Sequence, residues 1–234
     1  MIKLNFHIKK KNWANVIIDF NLILKKLEIN KLNLRKIIIT MNKYLNNEMN
    51  NSYIFIDLSN IYIGFYNYIM YNNKKYNICN PKMDYNVLFS ILEKDKKVER
   101  RILVGSKNKK IENKKILKKK DYELFLLERA NNKENGVDDL LHEKITNTLL
   151  SENPGYIIIA TGDGKKGDYT NNSFYNICIE ALKLGWYVTI VSWKKQISKQ
   201  YTLGEELYSL LKDFNIKDKF NILYLDNYVE NLIL

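Results

Sequence analysis

The sequence predicts an α/β fold: an open, doubly wound parallel sheet with helices on both faces. Three observations carry that prediction. Short apolar runs recur along the chain, they are apolar at nearly every position instead of every second one, and longer amphipathic stretches separate them. Strands buried on both faces read this way because covering helices leave the sheet no wet side. At 234 residues the chain is long enough for one such domain with its own core plus an appendage.

Residues 1–51 come first and read as a helical extension with a linker. One stretch carries Trp13, Val16, Ile17, Phe20, Ile23, Leu24 and Leu27, and a second carries Leu34, Ile37, Ile38, Met41 and Leu45. Spacings of three and four make amphipathic faces. The Asn-rich run Asn46, Asn47, Asn50 and Asn51 marks the boundary with the main domain, residues 52–234. Within that domain the strands are expected at Tyr53 to Ile56, Arg101 to Val104, Tyr122 to Leu127, Tyr156 to Ala160 and Tyr187 to Val191, with Phe220 to Leu225 as an edge strand. Helices are expected at Asp84 to Glu93, Lys109 to Lys119, Asp138 to Leu150 and Asn172 to Leu184, the last closed by Gly185 as a C-terminal cap. The regular alternation of the two kinds of element selects the doubly wound arrangement.

Lys+Arg 38 against Asp+Glu 26 gives a net charge of +12, which points to an anionic partner such as nucleic acid. Asn, Lys, Ile and Tyr are abundant, and A/T-rich codons encode them, so part of the basic surplus is compositional. Cys79 and Cys178 stand far apart with no Cys/His cluster, which argues against a disulfide framework and a zinc site and for a reducing intracellular compartment, the cytoplasm first. No apolar run reaches the roughly 18 to 20 residues that cross a bilayer, and the N-terminus lacks a signal-peptide pattern, so no membrane partner is expected.

Ligands of such sheets bind outside the carboxyl ends of the strands. Asp57-Leu58-Ser59-Asn60 follows the first strand and Thr161-Gly162-Asp163-Gly164 the fourth, while Gly136-Val137-Asp138-Asp139 opens the helix leading into that fourth strand. Three segments thus bring carboxylates to one edge. At about 100° per residue, Asp138 falls within the stripe of Leu141, Ile145 and Leu149 and should point inward. Gathered carboxylates repel unless a cation neutralises them, and hard oxygen donors select Mg²⁺ or Mn²⁺. Acids clustered on a basic protein fit metal-dependent phosphodiester cleavage. Each acid also has a structural use: Asp57, Asp138 and Asp139 as helix or turn caps, and Asp163 as a turn residue.

The residues Tyr53-Ile-Phe-Ile-Asp57-Leu-Ser-Asn60-Ile-Tyr-Ile-Gly64, then Leu103-Val-Gly-Ser106, Gly136-Val-Asp138, Ile159-Ala-Thr-Gly-Asp163 and Gly185-Trp186 with Val191-Ser-Trp193 resemble, in order and spacing, the NYN domain, a branch of the PIN-like nucleases. The resemblance covers Ser52 to Asn227, and Ala160 to Ser198, with Asp168-Tyr169 and Ile197-Ser198, is especially similar to the NYN domains of fungal proteins. It implies a PIN-like sheet and a metal-dependent ribonuclease site. By position, Asp57 opens the acidic cluster, Asn60 holds its geometry or contacts phosphate, Asp138 is the helix-borne acid and Asp163 the acid after the fourth strand. Many members place a second acid two residues beyond the Asp163 position. Here Lys165 and Lys166 stand there, and Asp168 is the substitute carboxylate after a longer loop.

RNA, single-stranded or structured, is the partner the resemblance implies, with Ser59, Ser106, Lys107, Lys165, Lys166, Lys194 and Lys195 as its candidate contacts. Ser106 to Lys120 holds eight Lys and one Glu and also reads as a solvated helix face. Tyr62, Tyr169 and Trp193 can stack on unpaired bases or simply pack. His142 reads as a surface or packing residue and Cys178 as core. Two other functions remain open: a non-catalytic RNA-binding adaptor whose metal site Lys165 and Lys166 have degraded, and a structure-specific DNA nuclease. The N-terminal helices are the candidate surface for a protein partner or self-association.

Overall fold

The computed structural model describes residues 51–94, 96–107, 121–129, 135–161, 173–213 and 216–234. Strand β1 (Asn51–Asp57) runs into helix α1 (Leu58–Tyr71), the short α2 (Asn73–Tyr76) and α3 (Tyr85–Glu93) before β2 (Lys97–Ser106). Next come β3 (Glu123–Leu127), α4 (Val137–Ser151), β4 (Tyr156–Ala160), α5 (Phe174–Lys183) and β5 (Tyr187–Ser192). The last elements are α6 (Gln200–Leu203), α7 (Glu205–Asp213), β6 (Phe220–Tyr224) and α8 (Val229–Leu232). The extension expected over residues 1–51 lies outside the described residues, save for Asn51, which begins β1, as does the helix expected from Lys109 to Lys119.

All six strands are parallel, in the order β3-β2-β1-β4-β5-β6. The chain steps outward from β1 to β3, then returns to the other side of β1 for β4, so the direction of winding switches between β1 and β4. Side chains alternate between two cores, as the pleat requires. Tyr53, Phe55, Ile102, Val104, Ile157, Ile159, Val188 and Ile190 meet α4 and α5. Ile54, Ile56, Leu103, Ile158 and Val191 meet α1, α3 and α8 on the opposite face. Burial on both faces is what the continuous apolar runs demanded, and the expected edge strand is β6.

Helix α1, like α2, α6, α7 and α8, is an element the sequence reading did not name, and it is the longest of them. Its stripe, Leu58, Ile61, Phe65 and Ile69, is fully buried, but Tyr62, Ile63, Tyr66 and Tyr68 fill the other faces and blur the period. These β-branched and aromatic residues are weak helix formers, and packing overrides that preference. Local signals elsewhere agree with the structure. Asp84 caps α3 through Oδ1, which accepts from the N–H groups of Asn86 and Val87. Ser173 caps α5 by accepting from Asn176 N. At the other end of α5, Gly185 has φ of 93°, with Gly185 N donating to Leu182 O and Trp186 N to Ala181 O. That paired bonding satisfies carbonyls the helix end would leave open, and the left-handed φ favours glycine. Among the described residues no helix is long and apolar enough to cross a membrane.

Candidate functional site

The carboxyl ends of β2, β1, β4 and β5 finish on Ser106, Asp57, Ala160 followed by Thr161, and Ser192. Continuing the alternation of each strand by two residues places Asp57, Ser106, Thr161 and Ser192 on the α4 face of the sheet. All four are buried, with relative exposures of 4%, 1%, 0% and 0%. Polar residues replace apolar ones at one level on three adjacent strands, at Asp57, Thr161 and Ser192, with Ser106 two residues further along β2, and Asp57 and Thr161 flank the switch point.

Asp57 does two jobs at once. It ends β1, and its Oδ1 accepts from Asn60 N at 2.9 Å, making it the N-cap of α1. The cap use suggested by the sequence is therefore real, and the positive end of the α1 dipole stabilises the carboxylate where it is buried. Asn60 is half-buried, and its Oδ1 is sealed from solvent with no hydrogen-bond partner among the described residues. The hydroxyl of Thr161 is in the same condition. Buried polar oxygens almost always have partners, and these two find none among the described residues.

The turn from β1 into α1 is latched to β2. Ser106 N donates to Ser59 Oγ at 3.3 Å, and Arg129 Nη1, just past β3, donates to Ser106 Oγ at 3.2 Å. A side chain at Gly105 would press on Leu58, so the first turn of α1 sits close against β2. Ser59 and Ser106, expected to meet nucleic acid, are buried and engaged in this latch. Arg129 was not anticipated: a lone Arg after a strand carries no motif, and only the pairing of β2 with β3 brings it to the edge. Arg129 as a residue is exposed, and its planar guanidinium is of the kind that suits phosphate.

Helix α4 packs across β1 and β2 and runs back along the sheet, so its first turn lies at the same edge. Asp138 and Asp139, both half-buried, occupy that turn behind Gly136, whose φ is 72°. Val137, with Leu141, Ile145 and Leu149 at spacings of four, fills the inward row. By angle, half-buried Asp138 falls within the arc that the buried Val137, Leu141, His142, Ile145, Thr148 and Leu149 span. His142 is buried, edge-on to Phe174 at 4.2 Å between ring centroids, as a packing residue.

The basic candidates divide. Lys107 is exposed and ion-paired with Glu128. Lys194 and Lys195 are exposed at the end of β5, the first with its backbone N–H donating to Asp226 Oδ2 at 2.8 Å. Of the two readings open for Trp193, stacking or packing, the structure shows packing: it is 2% exposed, contacts Phe65 and Tyr68, and donates from Nε1 to Ile61 O. Tyr62 is half-buried against the same core. Asp163, Lys165, Lys166, Asp168 and Tyr169 lie outside the described residues. Among the described residues no group of three Asp, Glu, His or Cys side chains could hold a metal ion. Cys79 is exposed and Cys178 buried, both as free thiols, and burial pushes the Cys178 thiol well up.

Fold and edge define a doubly wound, all-parallel α/β protein with buried polar residues at its switch point. No family model matches the chain, and no curated protein or solved structure matches it. The donor chemistry of this edge fits a hard divalent cation: a buried carboxylate on Asp57, acids on the first turn of α4, and oxygen atoms of Asn60 and Thr161 without partners among the described residues.

Proposed function

We propose that the chain is a metal-dependent endoribonuclease, similar to NYN domains of the PIN-like group, with Mg²⁺ or Mn²⁺ as cofactor. The observation that carries this reading is the burial of Asp57 at the switch point beside Thr161, whose hydroxyl has no partner among the described residues. Asp57, Asp138 and Asp163, with Asp168, are the residues that would hold the metal. When bound, such an ion activates water and stabilises charge on phosphate oxygens. The chain does the rest. The α1 dipole favours negative charge at Asp57, Asn60 orients a non-bridging phosphate oxygen or the carboxylates, and the Ser59–Ser106–Arg129 latch fixes the turn that carries both. Lys165, Lys166, Lys194 and Lys195 gather the backbone. Free thiols at Cys79 and Cys178 suit a reducing intracellular compartment.

The test is cleavage of end-labelled RNA and DNA by the purified chain with Mg²⁺, with Mn²⁺ and with EDTA. RNA should be cut only with metal, and Asp57→Asn and Asp163→Asn should each abolish the cut. Cleavage that persists in EDTA or in either variant overturns the assignment.

A second reading, a non-catalytic RNA-binding adaptor, is favoured by the cap bond at Asp57 and by Lys165 and Lys166 directly after Gly164. An adaptor would bind RNA equally with and without EDTA and never cut it.

A further inference from the structure

Two aromatic rings, each faced by a lysine, flank the turn that follows β5. Tyr71, the last residue of α1, is 76% exposed, and Lys195 Nζ lies 3.0 Å from its ring centroid. Lys194 Nζ lies 5.7 Å from the ring of Tyr224, which ends β6. The two lysines are consecutive, and the turn that carries them is fixed. Trp193 anchors it in the core through Ile61 O, Gln196 N and Ile197 N both donate to Trp193 O, and Asp226 accepts from Lys194 N.

A tyrosine this exposed adds nothing to the core. Its second face is open to a planar ligand, and the cation on the first face can meet an anion. Ring and cation, repeated on the two consecutive lysines of one turn, fit a polymer that alternates flat bases with phosphates. A duplex keeps its base faces stacked away, so only a single strand satisfies both halves of the repeat. Position agrees: β5 and β6 follow β4 in the sheet, so Lys194 and Tyr224 lie roughly 5 to 10 Å across the edge from Thr161, about one or two nucleotides.

We infer that Tyr71, Lys195, Lys194 and Tyr224 form a track for single-stranded nucleic acid that leads to Asp57. The track deepens the ribonuclease reading and rests on it for the choice of RNA as the strand.

Anisotropy of a short fluorescent poly(U) strand, measured in EDTA against a salt series, tests the track without any cleavage. Tyr71→Ala should weaken binding about tenfold, and Tyr71→Phe should retain it. Lys195→Gln should weaken binding and lower the log–log salt slope by about 0.7, the share of one phosphate on a single strand. Wild-type affinity in both Tyr71→Ala and Lys195→Gln, or a preference for duplex over single strand, overturns the track. Binding that depends on Tyr71 in a protein that never cuts leaves the track standing and removes the nuclease reading. Cleavage with strand affinity unmoved by these variants removes the track and leaves the nuclease.

Discussion

The indole Nε1 of Trp193 donates to the carbonyl oxygen of Ile61 at 3.0 Å, joining the residue after β5 to the first turn of α1 across 132 positions of sequence. The indole also lies against Gly64, where any side chain would collide with it and with Gln196. Trp193 is therefore a structural pin between the helix that Asp57 caps and the turn that carries Lys194 and Lys195.

Removing the pin should cost stability. Trp193→Ala is expected to lower unfolding free energy by about 3–5 kcal/mol, and Gly64→Ala by about 1–3 kcal/mol through overpacking. Urea unfolding midpoints measure both. A Trp193→Ala protein that unfolds at the wild-type midpoint but loses RNA affinity would return the ring to a stacking role.

Asp57 separates capping from chemistry. Asn caps a helix about as well as Asp, whereas Ala costs about 1 kcal/mol. Asp57→Asn should therefore keep the wild-type melting temperature and abolish cleavage, while Asp57→Ala should lose both. Full cleavage by the Asn variant would leave Asp57 as a cap alone.

Thr161→Val replaces a buried hydroxyl, with no partner among the described residues, by a methyl group of similar shape. Removing an orphan hydroxyl is expected to be neutral or to stabilise by about 1 kcal/mol. If that oxygen serves the site, cleavage falls about tenfold in the same variant. A variant that loses stability and keeps full activity would place the hydroxyl in the fold and not in the site.

Alkaline pH should unfold the protein earlier than it would a chain of unperturbed tyrosines. Burial first, then Glu152, raises Tyr53 from 10.0 to about 12, and burial also pushes Tyr85 and Tyr122 up. The folded state holds these protons more tightly than the unfolded chain does. Their contribution is fully present below about pH 10 and is lost as pH rises toward about 12. Burial lowers Lys219, whose effect runs the other way, but it is a single group. Denaturant midpoints should fall across that window, and Tyr122→Phe should blunt the fall. A flat or rising profile would contradict the burial argument.

Much of the fold was legible locally. The runs Tyr53 to Ile56 and Tyr156 to Ala160 gave buried parallel strands, Asp84 and Gly185 marked helix ends, and Cys178 read as core. Helix α1 escaped because its apolar residues surround it, and it took the second core to select Leu58, Ile61, Phe65 and Ile69 as the inward row. In the site, the sequence placed Asp57 at a sheet edge but could not tell cap from ligand, and it assigned Ser59 and Ser106 to nucleic acid when they bond each other.

The sequence by itself determined the parallel sheet, the edge where polar groups collect and the acids near it, because hydrophobic period and capping chemistry act within a few residues of one chain. Tertiary structure alone decided that Trp193 is interior, that Arg129 reaches Ser106, that the oxygens of Thr161 and Asn60 are buried without partners among the described residues, and that Lys195 covers Tyr71. A polar group's role depends on what lies within about 3 Å of it. For Ser59 and Ser106 that neighbour is 47 positions away, and for Trp193 it is 132.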